Sequence, residues 1–158
     1  MTDAKVPDAQ AGYEKMATFM LAAMAGCNYI HHAFGMVKNM NSASLEQAVI
    51  DNEIVGIAMR ALRGIDVREA TLATEAIDRV GPGGHYLMDD HTVRFMRSEL
   101  FYPPLGDRQN RSTWEQRGKQ DTRARAVARV EELLQEHHPS GLPSDLDAAI
   151  RATYPILL

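Results

Sequence analysis

One short run, Cys27-Asn-Tyr-Ile-His-His32, sets the tightest limit on what this chain can fold into. Its length, its β-prone Tyr29 and Ile30, and the small residues around it (Gly26, Ala33, Gly35) predict a buried strand. Every other periodic segment is helical. A buried strand without neighbours leaves its backbone N–H and C=O groups unsatisfied, so this one needs partners the chain does not supply. A helix followed by a buried strand is the tail of a βα repeat, with residues 2–6 as the remnant of the preceding strand's exit loop. The chain therefore reads as mostly α with one or two strands, and as part of something larger.

The helices are marked by their ends. Residues 12–25 carry Met16, Phe19, Met20, Ala23 and Met24 at nearly every turn, with Gly26 as a stop, and predict a buried helix. Ser44-Leu-Glu-Gln47 is a capping box before Val49, Ile54, Ile57, Ala58 and Leu62, and Gly64 ends that helix. Asp66-Val-Arg-Glu69 repeats the device ahead of Leu72, Ala73, Ala76, Ile77 and Val80, up to the breaker Gly81-Pro-Gly-Gly84. Residues 86–98 predict another helix, and Phe101-Tyr-Pro-Pro104 an extended connector. Ser112-Thr-Trp-Glu115 opens a helix to about His137, with Val127, Val130, Leu133 and Leu134 on one face. Pro143 and Ser144 start a last helix that Pro155 ends.

A length of 158 residues, 45% apolar and 24% charged, suits one domain with a real core. The net charge of −4 and pI near 5.8 weigh against a nucleic-acid partner. Basic residues gather between Arg108 and Arg129, but interspersed acids make that a solvated helix face. The single cysteine, Cys27, cannot form an internal disulfide and is expected to be a small buried hydrophobe. MTDAKVPDAQ has no apolar signal-peptide core, and Met16 to Met24 is too short to span a bilayer. The expected location is cytoplasmic.

His31 and His32 end the predicted strand, where a parallel barrel would place functional groups. Alternation sends His31 with Cys27 and Tyr29 to one face and His32 with Asn28 and Ile30 to the other, so both cannot serve one metal. The plainer alternative is a locally bonded histidine beside a solvated one. Asp8 is a sensible N-cap for the first helix. Asp3, Asp8 and Glu14, with Tyr13, approach an active-site mouth if the preceding residues are a barrel strand. His85, Asp89 and His91 allow a small metal-dependent hydrolase, but match no strong zinc spacing; no metal is expected. Gly81–Gly84 lacks the spacing of a nucleotide loop.

Taken together, residues 3–14 (DAKVPDAQAGYE), Gly26-Cys-Asn-Tyr-Ile-His31, Val80-Gly-Pro-Gly-Gly-His-Tyr-Leu87, His91-Thr92 and Pro104-Leu-Gly-Asp-Arg108 resemble the trimethylamine:corrinoid methyltransferase family. The resemblance runs in order along the whole chain, and corresponds to the C-terminal third of a family member. It implies the C-terminal part of a TIM (β/α)8 barrel, with residues 1–35 as its last elements and residues 36–158 as a helical extension, in one incomplete unit. It implies transfer of a methyl group from a methylated amine, trimethylamine or a quaternary amine such as a betaine, to a Co(I) corrinoid. That corrinoid would be carried by a partner protein, with no cofactor bound by this chain. His31, His32 and Tyr29 best fit substrate contact, then Asp3, Asp8 and Glu14, because carboxylates and aromatic faces attract a quaternary ammonium.

The resemblance also implies that trimethylamine-specific members carry pyrrolysine in a barrel region upstream of these residues, with other members lacking it. A stop codon or frameshift dividing the gene would yield a methionine start just downstream, and the upstream reading frame decides that point. The isolated chain is expected to be inactive, because a barrel of about 250 residues cannot close from this much chain. It is expected either to form a homo-oligomer or to associate with the missing portion. The alternative is a non-catalytic helical oligomerisation or interaction module derived from that fold.

Overall fold

A computed structural model describes residues 1–137 and 141–154. The chain runs α1 (Ala9–Met24), β1 (Met36–Val37), β2 (Ser42–Ala43), α2 (Leu45–Arg63), α3 (Glu69–Leu72), α4 (Thr74–Val80), α5 (Asp90–Glu99), α6 (Arg111–Gln116), α7 (Thr122–Glu136) and α8 (Ser144–Thr153). It is mostly helical. β1 and β2 form a two-residue antiparallel ladder, Met36 opposite Ala43 and Val37 opposite Ser42. The first residues lie alongside: Lys38 N–H donates to the Ala4 carbonyl at 2.8 Å and Asn39 N–H to that of Thr2 at 2.9 Å.

The strand expected at Cys27–His32 is instead an irregular loop. No neighbouring strand offers it a ladder among the described residues. It lies at the surface, where its backbone is open to solvent and needs no ladder. Gly26 (φ 83) and His32 (φ 57) take left-handed conformations that break an extended run. Cys27 is exposed, not buried. The preceding helix is also less buried than its composition predicts: Leu21 and Met24 are 68% and 67% exposed.

Ser44 caps α2 as expected, its hydroxyl accepting from Gln47 N–H at 3.0 Å. The reciprocal half of the box is missing, because Ser44 N–H donates to the Gly35 carbonyl and the Gln47 side chain turns to Asp51. Two predicted helices divide. Ala73 at φ 59 separates α3 from α4. Gly118 and Lys119, both left-handed, separate α6 from α7, whose own caps are Asn110 and Asp121. Asp66 does not cap; it pairs with Arg68 at 2.6 Å. The helix expected from Tyr86 begins at Asp90, capped by Asp89. α8 starts where expected; its predicted terminator, Pro155, lies outside the described residues.

α2 is the central element, packed on α1 and on α7. Its buried positions, Gln47, Asp51, Ile54 and Ala58, follow the 4-3-4 spacing of one helical face. Gly56 lets the Phe101 ring lie directly on the helix, where any Cβ would overlap it. Leu105 is buried beyond that ring, its N–H donating to Glu53 Oε1 at 2.8 Å and its carbonyl accepting Arg125 Nε at 2.6 Å. The connector thus bridges α2 and α7. Over the whole chain the surface is 11987 Å². A compact monomer of this mass exposes about 7,900 Å² by the usual scaling. Much apolar area therefore stays uncovered.

Candidate functional site

The site is built on the contact between α1 and α2. Asp8 accepts from Ala11 N–H at 3.0 Å and caps α1, which sets the helix phase so that Ala11 and Lys15 face inward. Lys15 meets Asp51 at 2.6 Å, with side chains only 2% and 1% exposed. Burying two charges is costly unless the remaining hydrogen-bonding capacity is filled. Here it is. Asp51 accepts from Gly35 N–H at 2.7 Å and from Gln47 Nε2 at 2.8 Å, and Lys15 Nζ also donates to the Met36 carbonyl at 3.1 Å. The pair thereby holds the exit of the Cys27–Gly35 loop against both helices.

Gly35 is required at that junction. Its φ of 69 is left-handed, and a Cβ would crowd the Ser44 carbonyl at 3.3 Å.

Above the ion pair lies a cleft of about 210 Å³, lined by Lys15, Phe19, Ile30, His31, His32 and Asp51 among others. His31 and His32 therefore face one cleft. Strand alternation would have separated them, but the left-handed turn at His32 brings their ring centroids to 3.6 Å. Tyr29 stacks on His31 at 5.8 Å, is 78% exposed, and does not line the cleft itself.

A second cleft of about 440 Å³ is lined by Asp3, Tyr13, Glu14 and Asn39, and shares Met1 and Thr18 with the first. The two lie side by side. Glu14 is the anchor of this second wall: its Oε2 accepts from Thr2 Oγ1 at 2.6 Å and Asp3 N–H at 2.9 Å, and its Oε1 from Gln10 Nε2 at 2.9 Å. Those bonds, the Thr2 hydroxyl foremost, hold the Glu14 carboxyl below its usual pKa. The wall is therefore anionic at neutral pH, and the exposed Tyr13 ring stands beside it.

Of the residues expected to contact substrate, His31 and His32 line one cleft and Asp3 and Glu14 the other. Asp8 is committed to its cap and lines neither. Lys15, Gln47 and Asp51 were not anticipated, yet they carried a signal. Lys15 is the lone cation in the apolar run from Gly12 to Ala25. Gln47 and Asp51 are polar residues on the same stripe as Ile54 and Ala58. Polar groups on an apolar face mark a buried network.

The His85, Asp89, His91 set does not converge. Asp89 caps α5 and pairs with Arg79 at 2.7 Å, His91 Nε2 donates to the Ala70 carbonyl at 2.9 Å, and His85 is exposed. Among the described residues no three His, Cys, Asp or Glu side chains gather to hold a metal. No described helix is long and apolar enough to cross a membrane.

The described residues thus hold two adjoining clefts, one anionic and aromatic and one bearing imidazoles over a buried ion pair. The family follows from comparison of the sequence. The model of the trimethylamine methyltransferase (MTTB) family matches residues 1–154, and the chain belongs to that family. It is 36% identical over 152 residues to a glycine betaine methyltransferase of Desulfitobacterium hafniense, covering 96% of this chain and 32% of that protein. With the trimethylamine methyltransferase MttB of Methanosarcina barkeri it shares 40% identity over 148 residues, 92% of this chain and 29% of the relative. The chain thus spans about a third of the length of these curated relatives.

Proposed function

We propose that this chain is the C-terminal portion of a methyltransferase that moves a methyl group from a methylated amine to a corrinoid protein. The amine is trimethylamine or a quaternary amine such as a betaine. The observation that carries this reading is the family match over residues 1–154, together with the pairing of a carboxylate wall and an aromatic ring in the cleft beside α1. A tertiary amine protonated at neutral pH and a quaternary ammonium are both cations. The quaternary one has no N–H to donate, so it is held by charge and by the faces of aromatic rings. Asp3 and Glu14 supply the charge and Tyr13 the ring.

The corrinoid, bound to a separate protein, supplies a Co(I) nucleophile toward the methyl carbon, and the C–N electron pair stays on the amine, which leaves neutral. The role of this chain's residues is then to orient the cation and exclude water. His31 and His32, with Tyr29 stacked behind them, form the neighbouring wall. Residues 1–35 are assigned to the closing elements of a TIM barrel and residues 36–158 to a helical extension, in a cytoplasmic enzyme completed by its upstream portion.

The test is methyl transfer to a reduced corrinoid protein, followed by the cobalt absorption spectrum. The chain joined to, or mixed with, the upstream portion is expected to transfer methyl from trimethylamine or glycine betaine, and the chain alone to transfer none. Transfer by the isolated chain would overturn the reading. So would a complete protein inactive with every methylated amine.

The uncovered apolar surface also favours a second reading, a helical module that self-associates. Light scattering separates the two. A single well-defined homo-oligomer of the chain alone favours the module, and aggregation relieved by the upstream portion favours the enzyme.

A further inference from the structure

The segment Pro104-Leu-Gly-Asp-Arg108 carries part of the family resemblance, yet it takes no part in the clefts beside α1. It forms one wall of a third cleft, of about 460 Å³, whose lining includes Tyr102, Arg108, Trp114, Arg117 and Arg125. Its backbone is fixed. Leu105 is held on one side by Glu53 of α2 and on the other by Arg125 of α7. Gly106 N–H donates to the Pro103 carbonyl at 3.1 Å, in a turn tight enough that a Cβ at Gly106 would sit 3.2 Å from that same oxygen. The Trp114 indole N–H donates to the Gln120 carbonyl at 3.0 Å, which pins that ring on the opposite wall.

Three guanidinium groups line this cleft against one carboxylate, Asp107, a positive patch in a chain of net charge −4. Among the described residues none of the three is in an ion pair, whereas seven other arginines are. Arg125 spends its donors on the Leu105 and Gln120 carbonyls and the Thr122 hydroxyl, so it is a fixed positive wall. Arg108 lies 5.8 Å from the centre of the Tyr102 ring. Among the described residues neither Arg108 nor Arg117 donates a side-chain hydrogen bond, and a fork of two parallel N–H groups matches a carboxylate. The Tyr102 and Trp114 rings and two prolines supply flat apolar walls.

We propose that this cleft is a binding site for a carboxylate carried on a flat apolar body, with Arg108 and Arg117 as the recognition groups. The size is that of a small-ligand pocket. The site is separate from the methyl-transfer site and does not depend on that assignment.

Trp114 is the chain's single tryptophan, so its fluorescence reports on this cleft alone. The experiment titrates the full chain with benzoate, and with benzamide as a neutral analogue of the same shape. Benzoate is expected to change the emission saturably, and benzamide to bind at least about ten-fold more weakly, as loss of a charge-assisted pair implies. Arg108→Gln and Arg117→Gln are each expected to weaken benzoate about ten-fold. Arg97→Gln, on α5, leaves binding unchanged. Circular dichroism confirms that each exposed-site variant is folded, and Arg108→Lys, which keeps the charge but not the fork, is expected to fall between wild type and Arg108→Gln. Three results overturn the proposal: a response to benzoate that never saturates, equal binding of benzamide, or wild-type affinity in either Gln variant.

Discussion

The layer of α1, α2 and α7 and the region between Ile65 and Leu100 are held by different means. In the first, burial does the work: Ala11, Ile54, Ala58 and Ala126 are buried, and the charged pair Lys15–Asp51 is sealed among them. In the second, α3 and α5 bury nothing and α4 only Ala76, while Ile65, Val67, Leu87 and Met88 are 73–87% exposed. What ties that region to the layer is polar. Arg60 and Arg63 grip Glu99 at 3.0 and 2.9 Å, and inside the region Arg79 holds Asp89. Exposed ion pairs contribute little, about 0–1 kcal/mol each. The lesson is that the clefts beside α1 sit on the part of the molecule that has a buried core, while exposed apolar side chains are found on both parts.

The sharpest way to break this comparison is to remove one charge from each region. Asp51→Ala leaves Lys15 buried without its counter-ion and Gly35 N–H without an acceptor, and is expected to cost about 3–5 kcal/mol. Glu99→Ala, in the exposed network, is expected to cost less than about 1 kcal/mol. Urea denaturation of the two variants measures both; equal losses would mean that the regions do not differ as described. Next in size is Gly56→Leu, which drives a side chain into the Phe101 ring and is expected to cost about 1–3 kcal/mol by overpacking.

Acid gives a finer probe. The folded-state pKa of Glu14 lies below its ordinary value of 4.5, so its contribution is fully present at neutral pH and is lost as pH falls through the lowered value. Protection of the Asp3 amide against hydrogen exchange should fade over that acidic range, and Thr2→Val, which deletes the foremost cause, should move the fading toward higher pH. The smallest effect is expected from Leu87→Ser with Met88→Ser. Both side chains are exposed, so stability should change by no more than about 0.5 kcal/mol, while solubility rises.

Much of this was legible in local chemistry. Ser44 and Gly64 bound α2 where the sequence places a start and a stop, Asp8 caps α1, and Phe101–Pro103 stay outside any helix, with Pro104 entering the turn closed by Gly106 N–H. Caps and breakers act within a turn, so they are visible without a fold. The Cys27–His32 run was misread because β-propensity describes how side chains suit a sheet, and whether a sheet is there to pair with is not a local property. The division at Ala73 was likewise invisible to apolar periodicity, which continues across it, whereas at Gly118–Lys119 residues 115–123 carry no apolar side chain and Gly118 with Asp121 was a legible stop and start.

The sequence by itself determined that the chain is mostly helical, where α2 starts and stops, that Asp8 caps α1, and the family to which it belongs. These follow from residue patterns that need no distant contact. Only the tertiary structure decided that Lys15 meets Asp51, that both histidines turn to one cleft, and that the Pro104–Arg108 segment faces Trp114. Each of those joins residues from separate elements, and such contacts exist only once α1, α2 and α7 have packed and fixed which face of each helix looks inward.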